Sequence, residues 1–273
     1  EAIDWATKYR KIFGTRVLNL SLGAAPTQSY KDDPICLAVE RAVKAGLVVV
    51  ASAGNYGANE QGQLVFGSVT SPGISPYAIT VGALRTQGTA DPGDDEIAPW
   101  SSKGPTLVDH IVKPDLVAPG SKILSTATKG SMLSNLLLDR FVDGPAGRDY
   151  VVLSGTSMAA AVVSGAVALL LEGDGKLSPL QVKLALQGSA DFIPTSGLLA
   201  AGAGRLDMSN LDELKAFRVH TRGASSGFSF SIPSNGTSKQ VIGLGAASLS
   251  PKTAEGETIV WGVTIVWGVT TVR

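Results

Sequence analysis

Apolar residues recur at helical spacing from the start of the chain: Ile3, Trp5, Ala6, Tyr9, Ile12 and Phe13, with Lys8, Arg10 and Lys11 between them. That spacing predicts an amphipathic helix closed by Gly14. The apolar run from Arg16 to Ser21 predicts a short strand. Asp32-Asp33-Pro34 then offers a cap and a first-turn proline. Ile35, Leu37, Ala38, Ala42 and Val43 form the apolar face of a second helix that ends at Gly46. The next five residues, Leu47-Val48-Val49-Val50-Ala51, are apolar throughout. A strand without alternation is covered on both faces, as in a parallel sheet between helix layers. Strand, helix and strand at these separations make a βαβ unit.

The pattern continues with strands at Tyr77 to Ala83 and Lys122 to Ser125. The longest apolar run, Met158 to Leu171, is broken by Ser164 and Gly165. It falls short of the roughly 20 residues that cross a bilayer, so it reads as a core helix rather than a membrane span. Gly165 and the alanines at 159, 160, 161 and 166 suit close approach to a sheet. Ser178-Pro179 opens another helix carrying Leu180, Val182, Leu184 and Leu186, ended by Gly188. Residues 209–217 predict a short closing helix. Beyond residue 217 the chain turns rich in Ser, Gly and Thr, and TIVWGV occurs twice, at 258–263 and 264–269. The even period places Trp261 and Trp267 on one side of an extended strand. The expected organisation is a main unit over 1–217, then a Ser/Gly-rich linker and β-repeat tail over 218–273.

Composition narrows the function classes. Of 273 residues, 44% are hydrophobic and 17% charged, and 23 Lys+Arg balance 23 Asp+Glu. A chain without net charge has no basic field for nucleic acid. The one cysteine, Cys36, excludes an internal disulfide and reads as a small buried apolar residue. Asp91, Asp94, Asp95 and Glu96 fall in a Gly/Pro-bearing stretch, 87–96, expected to be a solvated loop.

Three stretches carry candidate chemistry. Gly155-Thr156-Ser157 runs directly into the long apolar helix. A serine there has free backbone N–H groups and the helix dipole beside it, both suited to a developing oxyanion, and Gly155 leaves room for a substrate carbonyl. Ser52-Ala53-Gly54-Asn55 follows the buried strand and places an amide donor at its carboxyl end, where open α/β sheets bind ligands. Ser21-Leu22-Gly23 ends the first strand in residues able to pair with an extended peptide.

Together these stretches resemble the subtilisin-like serine proteases, the subtilase family: GTSMA at 155–159, VVVASAGN at 48–55 and VLNLSLG at 17–23. PYAITVGA at 76–83 resembles a core strand of that family, SSKGP at 101–105 and VKPDLVAPG at 112–120 two of its loops, and GAGRLD at 202–207 the entry to its last helix. The resemblance implies an α/β three-layer sandwich with a mostly parallel central sheet. It implies an endopeptidase with Ser157 as nucleophile and Asn55 as oxyanion donor. Ser21, Leu22, Gly23, Ser52, Ala53, Gly54, Gly155 and Thr156 would bind the peptide or protein substrate. Calcium, often bound in the family, is expected at most as a structural ion, and relatives suggest a secreted or extracellular protein without excluding the cytoplasm.

The chain departs from the family in two places. After the serine motif the family carries Ser or Thr, then Pro and His; here Ala160, Ala161 and Val162 stand there. The family's Asp-Thr/Ser-Gly and His-Gly-Thr-His contexts do not occur, and the two histidines, His110 and His220, have other surroundings. The expectation is a chain whose amino-terminal segment, with the catalytic Asp and His, is a missing partner, so that this part alone is inactive, exposes one flank of its sheet, and folds poorly or associates. The alternatives are an inactive or peptide-binding subtilase fold, a sedolisin-like acid protease, which Asn55 opposes, and a Ser-Lys hydrolase using Lys103 or Lys113.

Overall fold

The computed structural model describes residues 1–128, 131, 136–144, 147–209, 218–221, 227–234, 237–244 and 269–271. Helix α1 (Ala2–Phe13) leads into strand β1 (Val17–Leu20), then α2 (Pro34–Lys44), β2 (Val48–Ser52) and β3 (Ile79–Arg85). Strands β4 (Glu96–Ile97), β5 (Leu116–Pro119), β6 (Ile123–Thr126), β7 (Phe141–Gly144) and β8 (Gly147–Leu153) follow, then α3 (Thr156–Gly173), α4 (Pro179–Ser189) and the short α5 (Leu198–Ala201).

β1, β2, β3 and β5 pair in parallel, and β4 runs antiparallel beside β3. The apolar run of β2 divides by parity, as a period of two requires. Val48 and Val50 join Val81, Leu116, Val163, Val167, Leu170, Val182 and Leu186 on one face. Val49 and Ala51 join Val39, Ala42 and Ala78 on the other, with Ile3 of α1 packed against them. Helices α3 and α4 therefore cover one face, α1 and α2 the other: the three-layer α/β sandwich expected. β5 replaces what the sequence suggested was part of a loop. Its Leu116, Val117 and Ala118 are fully buried, but a four-residue run flanked by prolines leaves no periodicity to read.

Local chemistry sets the helix boundaries. Asp33 Oδ1 accepts from the Ile35 and Cys36 backbone N–H groups at 2.9 and 3.0 Å. Asp33→Ala is expected to cost about 1 kcal/mol, measured as a lower denaturant midpoint at unchanged slope. Cys36 is buried, and burial, aided by Asp33, pushes its thiol up to about 12, an inert setting. Ser178 and Gln181 form a reciprocal capping box at α4. α3 is long and apolar enough to cross a membrane by length and composition, yet Ala159, Ala160, Val163, Val167 and Leu170 are fully buried in the sheet-covering core. Gly165 and Ala161, expected to press on the sheet, lie on its exposed side instead, because packing on the sheet falls to the 159/160/163/167/170 stripe.

β6, β8 and β7 form a separate antiparallel sheet that delivers the chain into Ser154 and Gly155. The closing helix expected at 209–217 and the two TIVWGV copies lie almost wholly outside the described residues. Of the tail, β9 (Arg218–Thr221), β10 (Gly227–Ser234), β11 (Thr237–Leu244) and β12 (Val269–Thr271) pair antiparallel in the order β12-β11-β10-β9.

Candidate active site

The carboxyl ends of β1 and β2 and the amino end of α3 converge. The Gly155 N–H donates to Gly120 O at 2.8 Å, just after β5, and the Lys122 N–H to Ser154 Oγ at 2.8 Å. This fixes the turn before α3. Ser157 is the second helical residue, and its backbone N–H has no acceptor among the described residues, as the first-turn N–H groups of a helix lack intrahelical partners.

Asn55 reaches the same turn from β2. Its Oδ1 accepts from the Thr156 N–H at 3.0 Å and from Thr156 Oγ1 at 3.1 Å. Because a backbone N–H cannot accept, the amide orientation is fixed, and Nδ2 is left to face the space before the helix. A Cβ placed on Gly155 would lie 3.5 Å from Asn55 Nδ2 and 3.7 Å from the Ser157 backbone N. Two unspent donors therefore border one small space that only the absence of a side chain keeps open. That is the geometry of an oxyanion hole.

The first strand closes the other side. Ser21 Oγ donates to Ser157 O at 2.8 Å, and Ser157 Oγ lies 3.5 Å from Ser21 O. Asn19 Nδ2 donates to Ser21 Oγ, and Ser164 Oγ to Asn19 Oδ1. Ser21, Leu22 and Gly23 are exposed along the cleft. A Cβ on Gly23 would meet Thr70 Oγ1 at 2.4 Å, so this strand end is glycine by contact. Of the other residues expected to bind substrate, Gly54 lies at the cleft, while Ser52, Ala53 and Thr156 are buried behind it. Ser52 Oγ donates to Leu22 O, tying β2 to the segment that follows β1. Thr156 Oγ1 accepts from the Gly54 N–H and holds Asn55. Both act through other groups, which their position in a motif does not reveal.

Among the described residues no histidine or carboxylate bonds Ser157. His110 is exposed in a left-handed turn, its N–H bonded to Thr106 O. His220 lies in β9. Lys103 and Lys113 are buried and bonded elsewhere. No group of three or more His, Cys, Asp or Glu able to hold a metal occurs among the described residues. In the acidic loop Asp91 caps Gly93, Asp94 accepts from Thr89, and Asp95 pairs with Arg205 at 3.2 Å. Residues 87–93 and 96 are exposed, the solvated loop expected, and its Asp91, Asp94 and Asp95 carboxylates bond neighbouring groups of the chain.

The family model for the subtilases matches residues 1–230. This chain belongs to the subtilase family. Serine protease AprX of Bacillus subtilis is 35% identical over 215 residues, covering 77% of this chain and 46% of that protein. Subtilisin of Bacillus pumilus is 31% identical over 194 residues, covering 71% of this chain and 54% of that protein. The solved structure of sphericase superposes with a TM-score of 0.58 at 27% identity, covering 76% of this chain and 62% of that one. This subtilase chain thus spans about half the length of the curated relatives it matches.

Proposed function

We propose that the chain carries the nucleophile and the oxyanion hole of a serine endopeptidase. The observation that carries this reading is the shared space in front of Asn55 Nδ2 and the Ser157 N–H, beside Ser157 Oγ. Ser157 Oγ attacks the peptide carbonyl and forms an acyl-enzyme, and the two donors hold the tetrahedral oxyanion. The substrate lies extended along Ser21-Leu22-Gly23. Among the described residues Ser157 Oγ bonds only the backbone of Ser21, so in this reading the base that takes its proton, and the carboxylate orienting that base, are supplied by a segment other than the described residues. Among the described residues β1 pairs with β2 alone, and Trp5, Ile12 and Phe13 on α1 are 56%, 74% and 63% exposed. This flank is the place for such a segment, and the same reading places the protein outside the cell.

Treatment of the protein, as it occurs in its source, with a fluorophosphonate is expected to modify Ser157. The label is read by peptide mapping and is absent from Ser157→Ala. A label on another residue, or none on Ser157, sinks the peptidase reading. The chain expressed alone is expected to associate through its open flank; a monomer with one cooperative thermal transition counts against that part.

A further inference from the structure

Lys103 is a buried cation without a counter-ion. It is 4% exposed, and no carboxylate among the described residues pairs with it. Burial pulls its ammonium below the ordinary lysine range. What holds it is backbone. Nζ donates to Ser101 O at 2.9 Å, Pro99 O at 3.0 Å and Gly57 O at 3.3 Å. An ammonium has three donors, so donors and acceptors match one to one. Three converging carbonyls are the ligand set of a small monovalent cation, here supplied by the chain itself.

The cage borders the candidate site. Gly57 stands two residues beyond Asn55. The segment 54–57 is held to the loop before Gly104 by Ser102 N–H to Gly54 O at 3.0 Å, Tyr56 N–H to Ser102 Oγ at 3.1 Å and Gly57 N–H to Trp100 O at 2.9 Å. Lys103 adds the one charge-assisted bond of the set, the stronger kind. The fit leaves no slack: a Cβ on Gly57 would lie 1.8 Å from Ser101 O and 2.7 Å from Lys103 Nζ. We propose that Lys103 is a tethered cation whose carbonyl cage fixes Gly57 and thereby aims the Asn55 amide, a positioning residue for oxyanion stabilisation. The cage stands on its own geometry; its catalytic consequence rests on the peptidase reading above.

Two variants test this in the protein as it occurs in its source. Lys103→Met keeps the apolar stem and removes the charge. Lys103→Ala leaves a channel the length of propylammonium. Amide hydrogen exchange at Tyr56 and Gly57 is expected to rise about tenfold in Lys103→Met, the scale of one charge-assisted bond, while Val48 to Ala51 in β2 stay unchanged. In Lys103→Ala, propylammonium restores protection and propanol does not. Fluorophosphonate labelling of Ser157 in Lys103→Met slows about tenfold at saturating probe, with the half-saturating concentration unchanged. Unchanged exchange at 56 and 57, or rescue by propanol as good as by propylammonium, overturns the cage. Faster exchange with unaltered labelling overturns the positioning role. If Lys103→Ala fails to fold, the Met variant decides alone. If Ser157 is unlabelled even in the unsubstituted protein, the peptidase reading fails, and the exchange arms still decide the cage.

Discussion

Asn55→Ala is expected to lower kcat for peptide hydrolysis by about 10²–10³, with KM little changed, the magnitude being that of the same loss in subtilisin, a relative of this chain. The reason lies in where the amide points. Asn55 Oδ1 is engaged by Thr156 N–H and Oγ1, so only Nδ2 is left for the substrate, and it acts on charge that exists only in the transition state. Alanine also strips Thr156 N–H of its acceptor, so Asn55→Asp is the sharper control: it keeps that acceptor and replaces the donor with a negative charge. Both variants are expected to lose kcat, Asp more than Ala. Gly155→Ala should reproduce the loss by another route, since its Cβ fills the space between the two donors at a φ of +159° that favours glycine. Steady-state kinetics of the protein as it occurs in its source decides; a loss of tenfold or less in Asn55→Ala removes it from the proposed oxyanion hole.

Asp115→Ala is expected to destabilise the fold by about 3–5 kcal/mol, a large fraction of the roughly 5–15 kcal/mol that holds a typical domain. Asp115 is buried between two lysines: Lys113 Nζ at 2.6 Å and Lys183 Nζ at 2.9 Å. Its Oδ2 also accepts from the Thr80 N–H at 2.7 Å. The lysines in turn reach Ala78 O, Thr80 Oγ1 and Pro76 O, so one carboxylate joins the entry to β5, the start of β3 and α4. Removing it leaves the buried Lys113 ammonium and the partly buried Lys183 ammonium without their counter-charge. Replacing Lys113, Asp115 and Lys183 together by Met, Leu and Met should cost less than Asp115→Ala, because the penalty lies in the unpaired charges. Denaturant unfolding measures both, and a triple variant weaker than the single one contradicts the argument.

The same group gives a pH dependence. Burial alone would raise the Asp115 carboxyl, but Lys113 and Lys183 hold it below the usual aspartate range. A folded-state pKa below the unfolded one means stability is present above about 3.9 and is lost as pH falls through the lowered value. Burial pulls Lys113 down to about 7, the opposite effect for a lysine, so its own contribution improves as pH rises above that point. Acid unfolding of Asp115→Asn should lack the Asp115 step seen in the unsubstituted chain.

Much of this was legible in the residues. The unbroken apolar run from Leu47 to Ala51 predicted a strand covered on both faces, and Pro34 after Asp33 a helix start, because apolar patterning and capping are local properties. GTSMA and the Gly54-Asn55 turn identified the nucleophile and donor as candidates, since a motif carries residue type and order. Less legible were β5, whose short run sits between prolines, and the 147–153 strand that delivers Ser157, whose Gly-Arg-Asp start carries no apolar alternation. The buried roles of Ser52 and Thr156 were hidden for the same reason: their bonds go to Leu22, Gly54 and Asn55, across the cleft or 101 and 102 residues away.

By itself the sequence determined the α/β class, the helix caps and the family, and it singled out Ser157 as the candidate nucleophile, because these depend on residue type, spacing and order along the chain. Only the tertiary structure decided which way the Asn55 amide points, that Gly155 keeps a space open between two donors, and that Lys103 and Asp115 are held inside by carbonyls and by lysines. Each of those depends on atoms that meet only after β1, β2, β5 and α3 have packed. The direction of a donor and the satisfaction of a buried charge are properties of that packing.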